Sequence, residues 1–242
     1  MRFYFNDIET IMNKGIRNIF SEVPETYELI NHILTFGFDI LWRKQAVKIA
    51  VKAGGDRWID VCTGTGEMAS YLYHFAKNGT EVYATDFSLP MLGKATKKPE
   101  GCCIKFLLSD IKNLPFADET FDLITISFAT RNINLSENIL IRTFQEFYRV
   151  LRIGGYFVNL ETSQPSFYLI RRVFHKFVKL SVTPIGSLIS GSKSAYTYLA
   201  NTIPQFYQAE ELKDIMHQAG FKDIIIKKLM FGAAAIHRGV KY

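Results

Sequence analysis

A glycine-rich turn, with acidic residues close to it in the chain, is the part of this sequence best suited to chemistry. Residues 59–69 read IDVCTGTGEMA, so Gly64 and Gly66 follow an apolar run, and Asp86 comes later at the end of a second strand-like run. Because glycine has no side chain, two glycines at this spacing let the backbone approach a ligand closely. An acid at the end of the next strand can accept a hydrogen bond from a ribose hydroxyl. The pattern therefore predicts a nucleotide or nucleoside site.

The neighbouring acids argue against a dinucleotide. Glu67 places a carboxylate in the first turn of the following helix, where it would repel a pyrophosphate and favour a cation. Asp60 precedes the turn within the strand, positioned to fix the loop amides or to accept from an ammonium group. Asp110 ends the third strand-like run and could accept from the exocyclic amine of a purine. These acids favour a nucleoside with a cationic tail, which describes S-adenosylmethionine.

From residue 58 onward, short β-rich runs alternate with helical patterns. The predicted strands are 58–61, 81–86, 104–110, 121–129, 155–161, 221–229 and 231–237, and the predicted helices are 66–78, 88–97, 136–152 and 208–219. The glycines at 154 and 155 are typical of a helix stop and are expected to end the third helix. The alternation predicts an α/β fold, a doubly wound and mostly parallel seven-stranded sheet.

Two segments fall outside the alternation. Residues 1–50 have a helical pattern, and residues 163–207 are rich in aromatic residues, Ser, Thr and Pro. Such additions lie over the carboxyl ends of the strands, where ligands bind in this architecture. We therefore expect one domain over residues 1–242, with a helical N-terminal cover and an inserted lid that encloses a substrate.

Composition limits the class of protein. The chain has 242 residues, a net charge of +6, three cysteines without metal-ligand spacing, and no apolar run long enough to span a membrane. The N-terminal residues lack the apolar stretch of a signal peptide, so a cytoplasmic location is expected. Neither an NPPY-type motif nor a Pro-Cys pair is present, which argues against nucleic acid as the substrate.

The stretch FSEVPETYELINHILTFGFDILWR at 20–43 resembles the N-terminal signature of the C-methyltransferases of ubiquinone and menaquinone biosynthesis. The resemblance continues through SDIKNLPFADETFDLITISFATRNI at 109–133 and GSKSAYTYLANTIPQF at 191–206, and it covers nearly the whole chain. It implies a class I methyltransferase fold, and S-adenosylmethionine as the methyl donor. Two departures are Glu67, where the family usually has Asp, and ATRN at 129–132, where many members have GLRN.

The resemblance also implies which residues bind the donor. Its contacts would fall on Thr65, Asp86, Asp110, Ile111 and Ser127, and two of these are the acids that the pattern of strand ends predicts for the ribose and the adenine. The complete expected set of cofactor-binding residues is Tyr27, Asp60, Gly64, Thr65, Gly66, Asp86, Phe87, Met91, Ser109, Asp110, Ile111 and Ser127. No metal ligand is expected.

Methylation of an aromatic carbon requires an electron-rich quinol ring to attack the sulfonium methyl in line. Arg131 could stabilise the phenolate that develops, and Asn132 and Tyr196 are further candidate catalytic residues. The general base stays open among His32, Glu161, Tyr196, His237 and a water activated near Arg131. For the two histidines, a structural role is the favoured interpretation.

The expected acceptor is a prenylated quinol, demethylmenaquinol in preference to a methoxy-polyprenyl-benzoquinol. Aromatic residues of the two cover segments could line a tunnel for the tail or form the core of the lid; they are Phe20, Tyr27, Phe36, Phe38, Trp42, Phe167, Tyr168, Phe174, Phe177, Tyr196, Tyr198, Phe206 and Tyr207. A transient contact of the basic helix at 171–179 with the membrane surface, and a homodimer through the cover segments, are further expectations. The alternatives are a methyltransferase for a soluble acceptor, with attack by nitrogen or oxygen, and a non-catalytic protein that binds S-adenosylmethionine.

Overall fold

A computed structural model describes residues 24–242. The expectations for residues 1–23, among them the first part of the helical cover and a role for Phe20, lie outside this range. Within it, no helix is both long enough and apolar enough to cross a membrane.

The strands of the described residues form one seven-stranded sheet. They are Arg57–Val61 (β1), Glu81–Asp86 (β2), Lys105–Leu108 (β3), Phe121–Ser127 (β4), Leu151–Thr162 (β5), Lys222–Leu229 (β6) and Ala234–Val240 (β7). The order across the sheet is β3-β2-β1-β4-β5-β7-β6. β1 to β5 pair in parallel, whereas β7 runs antiparallel to both of its neighbours. The order reverses between β1 and β4, and open α/β sheets bind ligands at such a switch point.

Helices cover both faces of the sheet. They are Pro24–Leu34 (α1), Phe38–Ala50 (α2), Glu67–Phe75 (α3), Leu89–Ala95 (α4), Thr130–Ile133 (α5), Glu137–Val150 (α6), Tyr168–Ser190 (α7), Lys193–Thr202 (α8) and Ala209–Gln218 (α9). Because successive side chains of a strand point to opposite faces, Ile59 and Val61 of β1 pack in the layer of α6 and α9. Trp58 packs on the other face with α2 and α3.

A third apolar cluster lies outside the two layers of the sheet. It joins α1, α7 and α8 through Ile30, Val178, Tyr196 and Leu199, all of which are buried. These helices belong to the two cover segments. The fold class predicted from the sequence, a doubly wound and mostly parallel sheet with helical covers, is therefore confirmed.

The glycines at 154 and 155 do not end a helix, and that prediction was wrong. Helix α6 ends at Val150, and the strand that follows begins at once at Leu151. The register shifts inside β5, because Leu151 pairs with Phe121 whereas Tyr156 pairs with Leu123. Gly154 has a φ of 80°, which a residue with a side chain rarely adopts. The two glycines therefore form a bulge near the start of β5.

The start of the last strand also differs from the prediction. The sequence suggested residues 231–237, but β7 spans Ala234–Val240. Met230 and Phe231 have φ angles of 44° and 56°, in the left-handed region that does not occur in a strand. The chain therefore makes a tight turn there, and β7 begins three residues later than predicted.

The packing of the cover can be tested at Gly186 of α7. A Cβ at this position would lie 2.1 Å from the ring of Tyr196 on α8. We expect Gly186→Ala to lower the free energy of unfolding by about 1–3 kcal/mol, because the two helices must separate. Urea denaturation measures this. Gly93→Ala is the matched control, because its Cβ meets no atom within 4 Å; equal stabilities of the two variants would contradict the packing.

Candidate active site

A cleft opens at the carboxyl ends of β1, β2 and β4, where the order of strands reverses. Nine of the residues expected to bind the cofactor line it, and they are Tyr27, Gly64, Thr65, Asp86, Phe87, Met91, Asp110, Ile111 and Ser127. The candidate catalytic residue Asn132 lines it as well. The topology thus brings together residues that are spread over about one hundred positions of the sequence.

The glycine turn is fixed by Asp86 at the end of β2. One carboxylate oxygen of Asp86 accepts from the amide of Gly64 at 2.8 Å, and the other accepts from the amide of Ser88 at 2.8 Å. Burial raises the pKa of this carboxyl above its usual value. Each carboxylate oxygen has a second lone pair, so the group can still accept from the hydroxyls of a ribose.

Three of the expected cofactor contacts lie behind the wall of the cleft. Asp60 is fully buried and accepts from the hydroxyls of Thr63 at 2.6 Å and Thr125 at 2.7 Å. Burial raises its pKa to about 7. In the part of the chain that the structure describes, Asp60 therefore anchors the loop through a threonine hydroxyl and does not line the cleft.

Gly66 and Ser109 also support the wall without lining it. Gly66 has a φ of 82° and precedes α3, and a Cβ there would lie 2.9 Å from Cβ of Ala95 on α4. Its role is to let the loop turn and the two helices approach. The hydroxyl of Ser109 bonds to the hydroxyl of Thr85 at 2.5 Å.

Glu67 does line the cleft, but its charge is paired with a buried cation. Nη2 of Arg43 lies 3.1 Å from Glu67, and Nη1 of Arg43 lies 2.6 Å from Asp39. His32 contacts Asp39 at 2.9 Å and Glu67 at 3.6 Å. Burial raises the pKa of Glu67, although Arg43 opposes that shift. Glu67, the carboxylate expected to attract a cationic ligand, is thus part of a charge cluster formed by His32, Asp39, Arg43 and Glu67.

Sequence reasoning missed Arg43 and Asp39. Their spacing of four residues indicates only a local helix pair. The link from α2 to Glu67 on α3 depends on tertiary packing, and no sequence pattern marks it. The guanidinium of Arg43 also lies 5.1 Å from the centre of the Phe128 ring, an attractive cation–π geometry.

A second, mainly apolar cavity of about 370 Å³ adjoins the cleft. It lies between α1, α2, α7 and the turn before β7, and Phe36, Phe174 and Phe177 are among its aromatic lining residues. Tyr27, Arg43 and Phe128 line both the cleft and this cavity. Within residues 24–242, the boundary between the two spaces therefore consists of these three residues.

Arg131 lies at the wall of the second cavity and is held by β5. Its Nη1 donates to the carboxylate of Glu161 at 3.3 Å and to the hydroxyl of Thr162 at 2.9 Å. Glu161 also accepts from the amides of Arg131 and Thr162, so it positions the arginine and is a poor candidate for a base. Nε of Arg131 and Oδ1 of Asn132 are buried and lack hydrogen-bond partners within the described residues. Both atoms therefore have a hydrogen-bonding capacity that the described residues leave unused.

Tyr196 does not reach the site, and that prediction is corrected. Its side chain is 1% exposed in the core of the cover, and it lines neither the cleft nor the cavity formed by residues 24–242. Burial raises the pKa of its hydroxyl well above the usual value. A tyrosine at helical spacing in an aromatic segment packs more often than it reacts, and here packing prevailed.

The two histidine candidates for a base have structural contacts. His237 is buried in β7, and its Nε2 bonds to the carbonyl of Ala209 at 2.8 Å. Burial lowers its pKa to about 4, so the ring is neutral at physiological pH. His32 belongs to the charge cluster and lines neither space within the described residues. The structural interpretation is therefore the better one for both.

This chain is an S-adenosylmethionine-dependent methyltransferase, a class shown by its match to a methyltransferase family and by the names of its relatives. A crystal structure from Thermotoga maritima, described as a SAM-dependent methyltransferase and possible histamine N-methyltransferase, shares the fold with a TM-score of 0.67. The two chains are 23% identical, and the alignment covers 93% of this chain and 99% of that one.

The model of the ubiE/COQ5 methyltransferase family matches residues 8–241, and the chain belongs to that family. The Demethylmenaquinone methyltransferase of Thermus thermophilus is 41% identical over 226 residues, which cover 91% of this chain and 99% of the relative. The Ubiquinone/menaquinone biosynthesis C-methyltransferase UbiE of Desulfotalea psychrophila is 34% identical over 235 residues, with 96% and 94% covered. The resemblance seen in the sequence is confirmed.

The neutral, buried state of His237 can be tested directly. Because its pKa is lowered from 6.5 to about 4, the contribution of this residue to stability is present above pH 6.5 and is lost as the pH falls toward 4. The loss is about 3 kcal/mol at most. We expect NMR to show a ring titration near pH 4, and His237→Gln to flatten the acid limb of unfolding. Loss of methyl transfer by this variant at neutral pH, with its fold intact, would restore His237 as a candidate base.

Proposed function

We propose that this methyltransferase transfers a methyl group from S-adenosylmethionine to a ring carbon of a prenylated quinol, demethylmenaquinol in particular. One observation carries the proposal: the apolar cavity of about 370 Å³ shares Tyr27, Arg43 and Phe128 with the donor cleft. An acceptor in that cavity would meet the sulfonium at this boundary. The names of the relatives in Thermus thermophilus and Desulfotalea psychrophila support a quinone as the product class.

The donor would bind with its ribose at Asp86, its adenine amine at Asp110, and its aminoacyl group over the turn at Gly64. Thr65, Ile111 and Ser127 would complete the pocket around the nucleoside. Support for this arrangement comes from the fact that all of these residues line one cleft at the switch point.

In the proposed reaction the quinol first loses a hydroxyl proton, and the phenolate makes the neighbouring ring carbon nucleophilic. That carbon forms a bond to the methyl group as the sulfur–methyl bond breaks, and S-adenosylhomocysteine leaves. The ring carbon then loses its hydrogen as a proton, which restores aromaticity. Because water and the buffer can take both protons, the main task of the protein is to position the ring and stabilise its charge.

Arg131 would stabilise the phenolate, with Glu161 as the positioning residue that holds its guanidinium. The unpartnered Nε of Arg131 is the donor that such an oxygen would use, and Oδ1 of Asn132 could accept from the second hydroxyl of the quinol. The side chains considered as the base have structural contacts or lie outside the site. We therefore assign the role of base to a water near Arg131.

The donor site is tested at Asp110, which lines the cleft at the end of β3. Asp110→Asn replaces the charged acceptor for the adenine amine by a neutral amide, one end of which donates, so we expect the Kd for S-adenosylmethionine to rise about ten-fold. Calorimetric titration measures this. Asp214→Asn on the exposed face of α9 is the control and should bind like the parent protein. An unchanged Kd for Asp110→Asn would remove Asp110 from the donor site.

The reaction is tested with labelled S-adenosylmethionine and two reduced acceptors, a short-prenyl demethylmenaquinol and a methoxy-prenyl-benzoquinol. We expect label on one ring carbon of the demethylmenaquinol, and a loss of about 100-fold or more in kcat/KM for Arg131→Ala. Arg142→Ala, an exposed arginine on α6, is the control for the loss of one positive charge.

Removal of Arg131 leaves Glu161 buried without its cation, so the double variant Arg131→Ala with Glu161→Gln separates catalysis from stability. Equal activity of this folded double variant and the parent would exclude Arg131 from the reaction. Donor binding without methylation of either quinol would favour a soluble acceptor or a binding-only role.

A further inference from the structure

The net positive charge of the chain comes mainly from one segment. Residues 163–207 contain Arg171, Arg172, Lys176, Lys179 and Lys193 and no Asp or Glu. The segment therefore supplies five of the six net positive charges of the chain, and the other residues are nearly neutral. A segment with five basic residues and no acidic residue favours attraction to an anionic surface.

These charges lie beside an exposed apolar stripe on α7. Leu169, Val173 and Leu180 are 60%, 61% and 72% exposed. Positions 169, 173, 176 and 180 share one side of a helix, since they are spaced by three or four residues. Lys176 therefore lies within the stripe, and Arg172 and Lys179 lie along one border of it. A helix with an apolar stripe and a basic border has the composition of one that lies in a lipid–water interface.

The stripe leads to the mouth of the apolar cavity. Phe36, Val173, Met230 and Phe231 line that cavity, and their exposed fractions of 72%, 61%, 45% and 81% place them at its opening. Phe36 and Phe231 have φ angles of 53° and 56°. The left-handed conformation costs about 1–2 kcal/mol for such residues, and here it presents two aromatic rings to solvent at the opening of one cavity.

We propose that this face of α7, together with the mouth of the cavity, docks on an anionic lipid bilayer. We call it the mouth face and define it by Phe36, Leu169, Val173, Leu180, Met230, Phe231, Arg172, Lys176 and Lys179. The proposal rests on the proposed function, because docking lets a prenyl tail stay in lipid while the quinol ring enters the cavity. The apolar residues would enter the interface, and the basic residues would contact the lipid phosphates.

The charge of the mouth face argues against the other occupants. A symmetric dimer through this face would bring the basic residues of two copies together, which is unfavourable. Nucleic acid would use the basic residues but would leave the exposed aliphatic side chains of Leu169, Val173 and Leu180 without apolar contacts. A bilayer with anionic headgroups satisfies both the charge and the apolar stripe.

The test is flotation of the full-length protein with vesicles of phosphatidylcholine alone or with 30% phosphatidylglycerol, a standard anionic mixture. We expect binding only to the anionic vesicles, weakened by salt. The triple variant R172E/K176E/K179E should lose at least about ten-fold in partitioning, since each basic residue near the surface contributes. The control K48E/K52E/K97E changes exposed lysines outside the mouth face by the same charge and should bind like the parent.

A second variant, V173S/F231S, keeps every charge and should also lose vesicle binding. Binding that survives in both mouth-face variants, or is lost equally in the lysine control, would overturn the docking proposal. A different result would also overturn it: the parent does not bind vesicles, but it forms a concentration-dependent dimer that only the mouth-face variants abolish. The face would then be a dimer interface.

Methyl transfer separates the two proposals. With a short-prenyl quinol in solution, R172E/K176E/K179E should match the parent, whereas with a long-tail quinol in anionic vesicles it should be slower by at least about ten-fold. If the parent binds vesicles but methylates neither quinol, the quinol assignment fails and docking stands. If it methylates the short quinol but does not bind vesicles, docking alone fails.

Discussion

The buried ion pairs of Arg43 are the interaction on which the arrangement of the site depends. The guanidinium joins Asp39 on its own helix to Glu67 at the start of α3, and it is only 3% exposed. An unpaired charge in that position would be costly, so α2 and α3 must keep both carboxylates in place. Because α3 follows the glycine turn, the same ion pairs connect the cover to the loop expected to carry the donor. His32 adds a further contact to each carboxylate.

A second buried arginine is held by the sheet itself. Arg131 is fixed by Glu161 and Thr162 at the end of β5, and its Nε has no partner in the part of the chain that the structure describes. Nε of Arg43 is likewise buried without a partner there. Both arginines line the apolar cavity, where a hydrogen bond from an unsatisfied donor is worth more than in water. An apolar space with two such donors suits a ligand that is largely hydrocarbon and carries a few oxygens.

The sequence was sufficient for the parts of the site that depend on local geometry. Gly64 and Asp86 could be predicted because a turn after a buried strand and an acid at the next strand end have few other uses in this architecture. Tyr196 and the glycines at 154 and 155 could not, because residue type does not show whether an aromatic ring packs in a lid or whether two glycines form a bulge. Arg43 was missed for a related reason: its pairing with Glu67 joins elements that only the tertiary fold brings together.

The cleft proposed for the donor and the cavity proposed for the acceptor are built from different layers, and three of the described residues line both. Tyr27 comes from α1, Arg43 from α2, and Phe128 follows β4 with a φ of 55°, which turns its ring beneath the guanidinium of Arg43. The donor wall consists mainly of strand ends and the loops fixed to them, whereas the apolar cavity consists mainly of helices from the cover. Changes in the cover can therefore alter the apolar cavity without moving the strand ends that line the cleft. Substrate specificity in this chain is accordingly expected to reside in α1, α2 and α7, and donor binding at the strand ends of the sheet.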